Sequence, residues 1–297
     1  MNKIAVTGAN GMTGCHMVSL LERKKIPVKK ITRQVWDLIE WKSFNQLDQI
    51  FGSVSAVFHF GAKLDHSHSK YDNLQTQQVF DANVRSCLNL AEWAKLRNIP
   101  IIFISSSVVY ENPHATKIVE TDTKVVNGFG GFYGYTKFIS ESVFNYLSID
   151  GLKCIILRPT SIYGYGLPSD KLVQNYLNQA SSGEVIRVFN PNNMVNFIHA
   201  YDVVNAAWQA YNKKAWGVFN ISSKKQNTIL EVAEIAVSIS GSGKLEVLND
   251  DNNDTNFSRF DLNSNLAIKR FGFDAVLDLK EGMTLMKNKI LIPQKIN

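Results

Sequence analysis

The chain has 297 residues and a formal net charge of +6, and its 45% hydrophobic and 20% charged residues are typical of a globular protein. This composition excludes disordered and collagen-like classes, and no apolar run reaches the roughly 20 residues that a membrane span requires. The basic residues are dispersed, so neither nucleic acid nor a membrane is expected as a partner. The sequence starts without a secretory signal, and its three separated cysteines indicate neither a disulfide framework nor a zinc site, so a cytoplasmic protein is expected.

Strand-like and helix-like segments alternate from the first residues, which predicts a parallel sheet with crossover helices. We expect strands at 3–7, 28–32, 56–60, 100–105 and 153–157. Helical patterns lie between them, at 11–23, 41–51, 71–97 and 133–147. The alternation predicts a doubly wound α/β fold, in which ligands bind at the carboxyl ends of the strands.

A glycine-rich segment with the sequence TGANGMTG, residues 7–14, follows the first strand and opens the first helix. Such glycines let the backbone turn tightly and approach a pyrophosphate, whose charge the N-terminus of the helix favours. This placement between strand and helix predicts dinucleotide binding. The contacts expected from the turn are Gly8, Asn10, Gly11, Met12 and Gly14.

The regular alternation ends in a segment rich in glycine and proline, residues 163–168. We therefore expect a dinucleotide-binding Rossmann domain over 1–165 and a smaller C-terminal α/β substrate-binding portion over 166–297. A segment at about 195–220 is expected to return to the first domain.

The end of the second strand bears on the choice of dinucleotide. NAD sites usually carry an acidic residue there, and no carboxylate occurs before Asp37. Thr32 and Arg33 are able to hold a 2′-phosphate, which favours NADP(H) over NAD(H); alternatively, Arg33 stacks on the adenine or faces solvent. Asp37 and Leu38, after a very short third strand, are expected beside the adenine.

Of the ten tyrosines, only Tyr133 has a lysine four residues later, Lys137, and one helical turn places both on the same face. An ammonium near a phenol favours the phenolate, so we expect Lys137 to lower the pKa of Tyr133 and to make it an acid/base group. Upstream, Ser105, Ser106 and Ser107 end a predicted strand. A hydroxyl there is able to hydrogen-bond a substrate alcohol or carbonyl.

With these motifs in this order, the chain resembles the extended short-chain dehydrogenase/reductase superfamily, of the NAD(P)-dependent epimerase/dehydratase type. The resemblance extends over nearly the whole sequence. It includes VFHFGA at 57–62, Asn83-Val84, LRPTSIYG at 157–164, FIHAYDV at 197–203, FNI at 219–221 and Gly272.

The resemblance implies that Ser106 is the catalytic hydroxyl and Tyr133 the acid/base, and that Lys137 holds the nicotinamide ribose. It implies further cofactor contacts from Phe60, Gly61, Ala62, Asn83, Pro159 and Thr160. Substrate-facing positions are expected at Ser107, Ser161, Arg187 and Arg259. The helices at 71–97 and 133–147 correspond to the pair through which members of the family dimerise, which implies a homodimer.

Two departures from the family pattern bear on the reaction. Dehydratases of the family carry Asp-Glu after the catalytic residue, where this chain has Ser107-Val108, so dehydration is not expected. The expected activity is C4 epimerisation or 4-keto reduction of a nucleotide sugar. Two residues that bind the substrate diphosphate in related epimerases are replaced here, by Ser161 and Val195, with Arg187 or Arg259 as substitutes.

Two alternatives therefore stay open: an NADPH-dependent reductase of a non-nucleotide carbonyl compound, and a non-catalytic dinucleotide-binding sensor or scaffold. No metal is expected, because His66 and His68 lack further ligands nearby in the sequence.

Overall fold

A computed structural model describes residues 3–64, 73–124, 130–248 and 258–294. Its strands, in chain order, are β1 (Lys3–Thr7), β2 (Val28–Ile31), β3 (Val54–His59), β4 (Ile101–Ile104), β5 (Cys154–Pro159), β6 (Ser161–Tyr163), β7 (Val185–Phe189), β8 (Met194–Val195), β9 (Phe197–His199), β10 (Gly217–Ile221), β11 (Asn227–Thr228), β12 (Lys244–Leu248) and β13 (Ser258–Arg259). Its helices are α1 (Met12–Arg23), α2 (Phe44–Phe51), α3 (Asn73–Phe80), α4 (Ser86–Leu96), α5 (Gly131–Ile149), α6 (Leu172–Ser181), α7 (Ala200–Asn212), α8 (Ile229–Ser240), α9 (Asn265–Phe271) and α10 (Leu279–Lys287). Within the described ranges, no helix is both long enough and apolar enough to cross a bilayer.

Six strands form one parallel sheet in the order β10-β5-β4-β3-β1-β2. Successive side chains of a strand point to opposite faces, and helices cover both faces of this sheet. On β1, Ile4 and Val6 pack with α1 and α7, whereas Ala5 packs on the other face with α2, α4 and α5. Burial on both faces explains why the inner strands β1, β3, β4 and β5 are largely apolar, whereas the edge strand β2 contains two lysines. The doubly wound α/β fold predicted from the sequence is confirmed.

Two segments differ from the prediction. Instead of a short third strand before Asp37, the chain forms a turn at 32–36 in which the Thr32 carbonyl accepts two backbone N–H groups. The strand at Val54–His59 is therefore the third rather than the fourth. The helix expected over 71–97 is described from Asn73 and contains a π-helical turn at Asp81–Arg85 between α3 and α4.

The later half of the chain adds smaller layers and also returns to the large sheet. α6, α8 and α10 pack around an apolar cluster with the parallel pair of β7 and β12. β8 joins β11 and β13, and β6 pairs with β9. β10 completes the large sheet beside β5, and α7 packs on α1.

A buried ion pair fastens β5 to α5. Arg158 Nη2 lies 2.6 Å from Glu141 Oε2, and both side chains are 2% exposed. The guanidinium also donates to the Tyr110 hydroxyl and to the Glu120 carbonyl, each at 2.9 Å. Tyr110 in turn donates to Asn220 Oδ1 on β10 at 2.6 Å. The network therefore joins three elements of the fold: β5, β10 and α5.

Candidate active site

The turn between β1 and α1 leaves no space for a side chain at Gly8 or Gly14. Gly8 has φ +63°, and a Cβ added there would lie 2.7 Å from the Gly61 Cα. A Cβ on Gly14 would lie 2.0 Å from the Gly8 carbonyl oxygen. α1 begins without a side-chain cap or an acidic residue in its first turn, so its N–H groups are available to an anion. These features fit the pyrophosphate of a dinucleotide.

A small cavity of about 160 Å³ opens beside this turn. Seven residues predicted to contact the cofactor line it: Gly8, Thr32, Arg33, Asp37, Leu38, Gly61 and Ala62. We refer to it as the adenosine cavity. Arg33 Nε donates to Asp37 Oδ2 at 2.9 Å, and the Arg33 side chain remains 75% exposed. Arg33 therefore lies at the adenosine cavity, but its guanidinium is paired with the Asp37 carboxylate.

A larger cavity of about 670 Å³ lies over the carboxyl ends of β4 and β5, within the size range of ligand pockets. Twelve of the predicted site residues line it: Gly11, Met12, Gly14, Phe60, Ala62, Ser106, Ser107, Tyr133, Lys137, Pro159, Thr160 and Ser161. The fold thus brings the glycine turn, the serine cluster and the Tyr133–Lys137 pair to one space. We refer to it as the main cavity.

Tyr133 and Lys137 occupy successive turns of α5, with Lys137 Nζ 5.6 Å from the centre of the Tyr133 ring. Lys137 Nζ donates to the Ile104 carbonyl at 2.8 Å, and burial lowers the pKa of this lysine to about 8. Burial raises the pKa of Tyr133 above its ordinary value. The expected lowering of the Tyr133 pKa by Lys137 is not seen in this geometry, where loss of solvation around the half-buried phenol is the dominant effect.

Ser106 ends the extended chain after β4 and caps a short 3₁₀ turn at Ser107–Val109. Its Oγ accepts the Val108 N–H at 3.3 Å, which leaves its own proton free for a hydrogen bond to a ligand. Ser107 is buried, at 2% exposure, and also lines the main cavity. The geometry is suited to the hydroxyl role expected of Ser106.

Asn83 lies in the π-helical turn, a local structure that often marks functional sites. Its Oδ1 accepts the Lys63 N–H at 2.8 Å, and its Nδ2 donates to the Lys63 carbonyl at 2.9 Å and to Thr136 Oγ1 at 3.1 Å. The amide thus links the segment after β3 to α5. Its expected contact with the cofactor stays a prediction, since protein groups occupy the hydrogen-bonding atoms of its side chain.

Besides Asn83, three predicted site residues line neither the main cavity nor the adenosine cavity. Asn10 faces a separate groove on the other side of the glycine turn. Arg187 lies on the exposed face of β7, where it pairs with Glu246 at 3.0 Å, because alternation along the strand directs it outward. Arg259, on β13, precedes the cavity residue Phe260 but is not part of the lining.

The structure also adds residues that the sequence did not single out. Lys171 and Leu172 bring the N-terminus of α6 to the main cavity, and this helix has neither a side-chain cap nor an acidic residue in its first turn. Phe197 and Phe260 form apolar walls, and Phe260 has φ +59°, which is uncommon for a bulky residue. The local signal for Lys171 was its position three residues after the segment rich in glycine and proline.

The charged groups that the described residues bring to the main cavity are both cationic, Lys137 and Lys171; no Asp or Glu of these ranges lines it. The same ranges contain no cluster of three or more His, Cys, Asp or Glu residues that could hold a metal ion. His66 and His68 lie outside the described residues.

Comparison with known proteins gave three kinds of match. The sequence model of the NAD dependent epimerase/dehydratase family matches residues 4–222. UDP-glucuronic acid decarboxylase 6 of Arabidopsis thaliana is 25% identical over 317 residues, covering 99% of this chain and 91% of that protein. A UDP-N-acetylglucosamine 4-epimerase from Bacillus cereus superposes with a TM-score of 0.82 at 22% identity, over 100% of this chain and 99% of that one. A UDP-glucose 4-epimerase from Thermotoga maritima gives 0.81 at 20% identity, over 97% and 99%.

Proposed function

The chain belongs to the NAD dependent epimerase/dehydratase family and is thus an enzyme that uses a nicotinamide dinucleotide, and from this premise we propose that it acts on a nucleotide sugar. The proposed reaction is C4 epimerisation or reduction of a 4-keto sugar. The observation that carries the proposal is the main cavity, where Ser106, Tyr133 and Lys137 share one space with the N-terminus of α6.

The walls of the main cavity support a nucleotide sugar as the substrate. Lys171 and the free N–H groups at the start of α6 suit a diphosphate, since a helix N-terminus and an ammonium both favour anions. Phe197 and Phe260 offer aromatic surface to a base or to the apolar face of a sugar ring. The related proteins named above act on UDP-sugars, which agrees with this choice.

Ser106, Tyr133 and Lys137 divide the work of the reaction between them. A dinucleotide held by the glycine turn and the adenosine cavity would supply reversible hydride transfer to and from the sugar carbon. Tyr133 gives its proton to the carbonyl oxygen during reduction and takes the hydroxyl proton during oxidation. Ser106 donates a hydrogen bond to the same oxygen, and Lys137 holds the ribose hydroxyls. Desolvation favours the protonated phenol, which is the form that donates a proton in the reductive half of the reaction.

The lack of carboxylates in the described lining of the main cavity favours epimerisation or reduction over dehydration. Elimination of water from a hexose requires an acid and a base in addition to the group that serves the C4 oxygen. In an epimerisation, Tyr133 moves the proton of the C4 oxygen in both halves of the reaction, so no further acid or base is needed. For the cofactor, we propose NADP(H) in preference to NAD(H), on the position of Thr32 and Arg33 at the adenosine cavity.

Decarboxylation of a nucleotide hexuronate is a second candidate, favoured by the similarity to the plant decarboxylase over 99% of this chain. Oxidation at C4 places a ketone β to the carboxylate, and such an acid loses CO₂ without a further catalytic carboxylate. Reduction of the remaining ketone by the same groups completes that reaction. The residues in the main cavity suit this sequence of steps as well.

Replacement of the Tyr133 hydroxyl tests the proposal. We predict that Tyr133→Phe lowers turnover of the substrate by about 10²–10⁴-fold, the usual contribution of a general acid/base. Dinucleotide affinity, measured by titration calorimetry, should change by less than about threefold, because binding energy comes mainly from the turn and the adenosine cavity. Undiminished turnover in the variant contradicts the assignment. The product mass separates the two candidates, since epimerisation conserves mass and decarboxylation removes CO₂.

A further inference from the structure

A row of buried polar side chains connects the glycine turn to α4. None of these side chains takes part in the proposed reaction. Thr7, the last residue of β1, accepts the N–H groups of Phe60 and Gly61 on its Oγ1, both at 3.2 Å. The same Oγ1 lies 2.7 Å from His59 Nδ1. On the far side of the imidazole, Nε2 lies 3.5 Å from Cys87 Sγ on α4. Thr7, His59 and Cys87 are each 1% exposed.

These contacts assign the tautomer of His59. Because Thr7 Oγ1 already accepts two N–H groups, its proton is directed to His59 Nδ1, which must be unprotonated to receive it. The ring hydrogen is then on Nε2, facing Cys87 Sγ. The opposite tautomer would leave the buried Thr7 proton without an acceptor. Burial lowers the pKa of His59 to about 3, so the ring stays neutral in the folded protein.

The same imidazole belongs to the layer that contacts the candidate catalytic lysine. The rings of His59 and Phe103 are stacked, with centres 5.9 Å apart and an interplanar angle of 21°. Lys137 Nζ lies 4.6 Å from the centre of the same Phe103 ring. His59 therefore lies between the residue that starts the glycine turn and the residue that supports Lys137.

We infer that His59 is a positioning residue for the cofactor site. With Thr7 it fixes the carboxyl ends of β1 and β3 at the close approach that Gly8 and Gly61 allow, where an added Cβ on Gly8 would come within 2.7 Å. Through its stacking contact with Phe103, His59 also keeps the ends of these two strands aligned with Lys137. The inference rests on the proposed placement of the dinucleotide, across the glycine turn with its ribose at Lys137.

Four variants separate this role from one in stability alone. Thr7→Val keeps the shape but removes the hydroxyl, Thr7→Ser keeps the hydroxyl, and His59→Phe keeps a ring against Phe103; the fourth variant combines Thr7→Val with His59→Phe. Dinucleotide Kd is measured by titration calorimetry at a temperature where circular dichroism shows each variant folded, together with Tm and with KM and kcat. Thr7→Val and Thr7→Ser form a matched pair, because only Thr7→Ser keeps the hydroxyl group.

We expect Thr7→Val and His59→Phe each to weaken dinucleotide binding by about tenfold, since small displacements of a bound group cost this much or more. Thr7→Ser should stay within about twofold of the wild type. The double variant should be no weaker than the weaker single variant, because residues that act as one unit are not additive. kcat should fall in parallel, while KM for the sugar substrate changes less.

A lower Tm with unchanged Kd in the folded variants overturns the inference, and so do fully additive losses in the double variant. If His59→Phe does not fold, Cys87→Ala removes only the group that receives the Nε2 hydrogen. Weaker dinucleotide binding in that variant supports the inference, and unchanged binding overturns it. A wild-type protein that binds neither NAD nor NADP overturns both this inference and the proposed function, whereas normal binding by all variants overturns this inference alone.

Discussion

Arg33 and Asp37 form an ion pair at the adenosine cavity. A ribose 2′-phosphate bound there would compete with the Asp37 carboxylate for the Arg33 guanidinium. We predict that Arg33→Ala weakens NADP binding by about tenfold, in line with the loss of one charge-assisted hydrogen bond, and NAD binding much less. Asp37→Asn should shift the preference the opposite way, because Arg33 is then free for the phosphate. Calorimetric titration of each variant with both dinucleotides measures the ratio. Equal effects on NAD and NADP would remove Arg33 from cofactor selection.

Single residues were predictable where the signal was local in sequence. Tyr133 and Lys137 are four residues apart on one helix, and the glycines follow directly from a strand, so short-range geometry sufficed to bring them together. Lys171 and Phe260 reach the main cavity only through contacts between distant segments, which periodicity does not report. The hydrogen bond from Lys137 to the Ile104 carbonyl could not be predicted from the sequence either, although it orients the ammonium group.

The joint between β5 and α5 depends on the buried pair of Arg158 and Glu141. We predict that Arg158→Met destabilises the protein by about 3–5 kcal/mol, because Glu141 is left as an unpaired buried charge. Arg97→Met, which removes the exposed partner of Asp48, is the matched control and should change stability much less. Denaturant unfolding followed by circular dichroism gives both values. Equal losses in the two variants would show that burial of the first pair is not the cause.

The elements themselves followed largely from apolar patterning, and the two misses have physical reasons. A π-helical turn adds one residue to the repeat, which a period of 3.6 does not reveal, so residues 71–97 were read as one regular helix. The strand expected before Asp37 is replaced by a turn closed on the Thr32 carbonyl.

The whole molecule should lose stability in mild acid. Burial lowers the pKa values of His16, His59 and His199 to about 4, 3 and 3, from 6.5 in the unfolded chain. Below about pH 6.5 the unfolded chain therefore binds protons that the folded chain does not, and stability falls with pH. Asp202 acts oppositely, since burial raises its pKa from 3.8 to about 7, so its stabilising contribution is lost as pH rises through this range.

With three histidines against one aspartate, we predict a lower Tm at about pH 5 than at about pH 7.5. Thermal melts followed by circular dichroism across this interval provide the measurement. A Tm that is constant or rises towards acid would show that the buried histidines do not control the response. The homodimer, the division near residue 165 and the return of about 195–220 to the first domain stay predictions at this scale.

Mass spectrometry of products from a substrate panel tests the proposed function most directly. The panel combines UDP-glucose, UDP-N-acetylglucosamine, UDP-glucuronate and a 4-keto nucleotide sugar with simple ketones and aldehydes, each with NAD and with NADPH. We predict that the wild type converts at least one nucleotide sugar to its C4 epimer, its 4-keto reduction product or its decarboxylated product, and that Tyr133→Phe does not. Reduction of simple carbonyl compounds with NADPH, without conversion of any nucleotide sugar, would contradict the proposal.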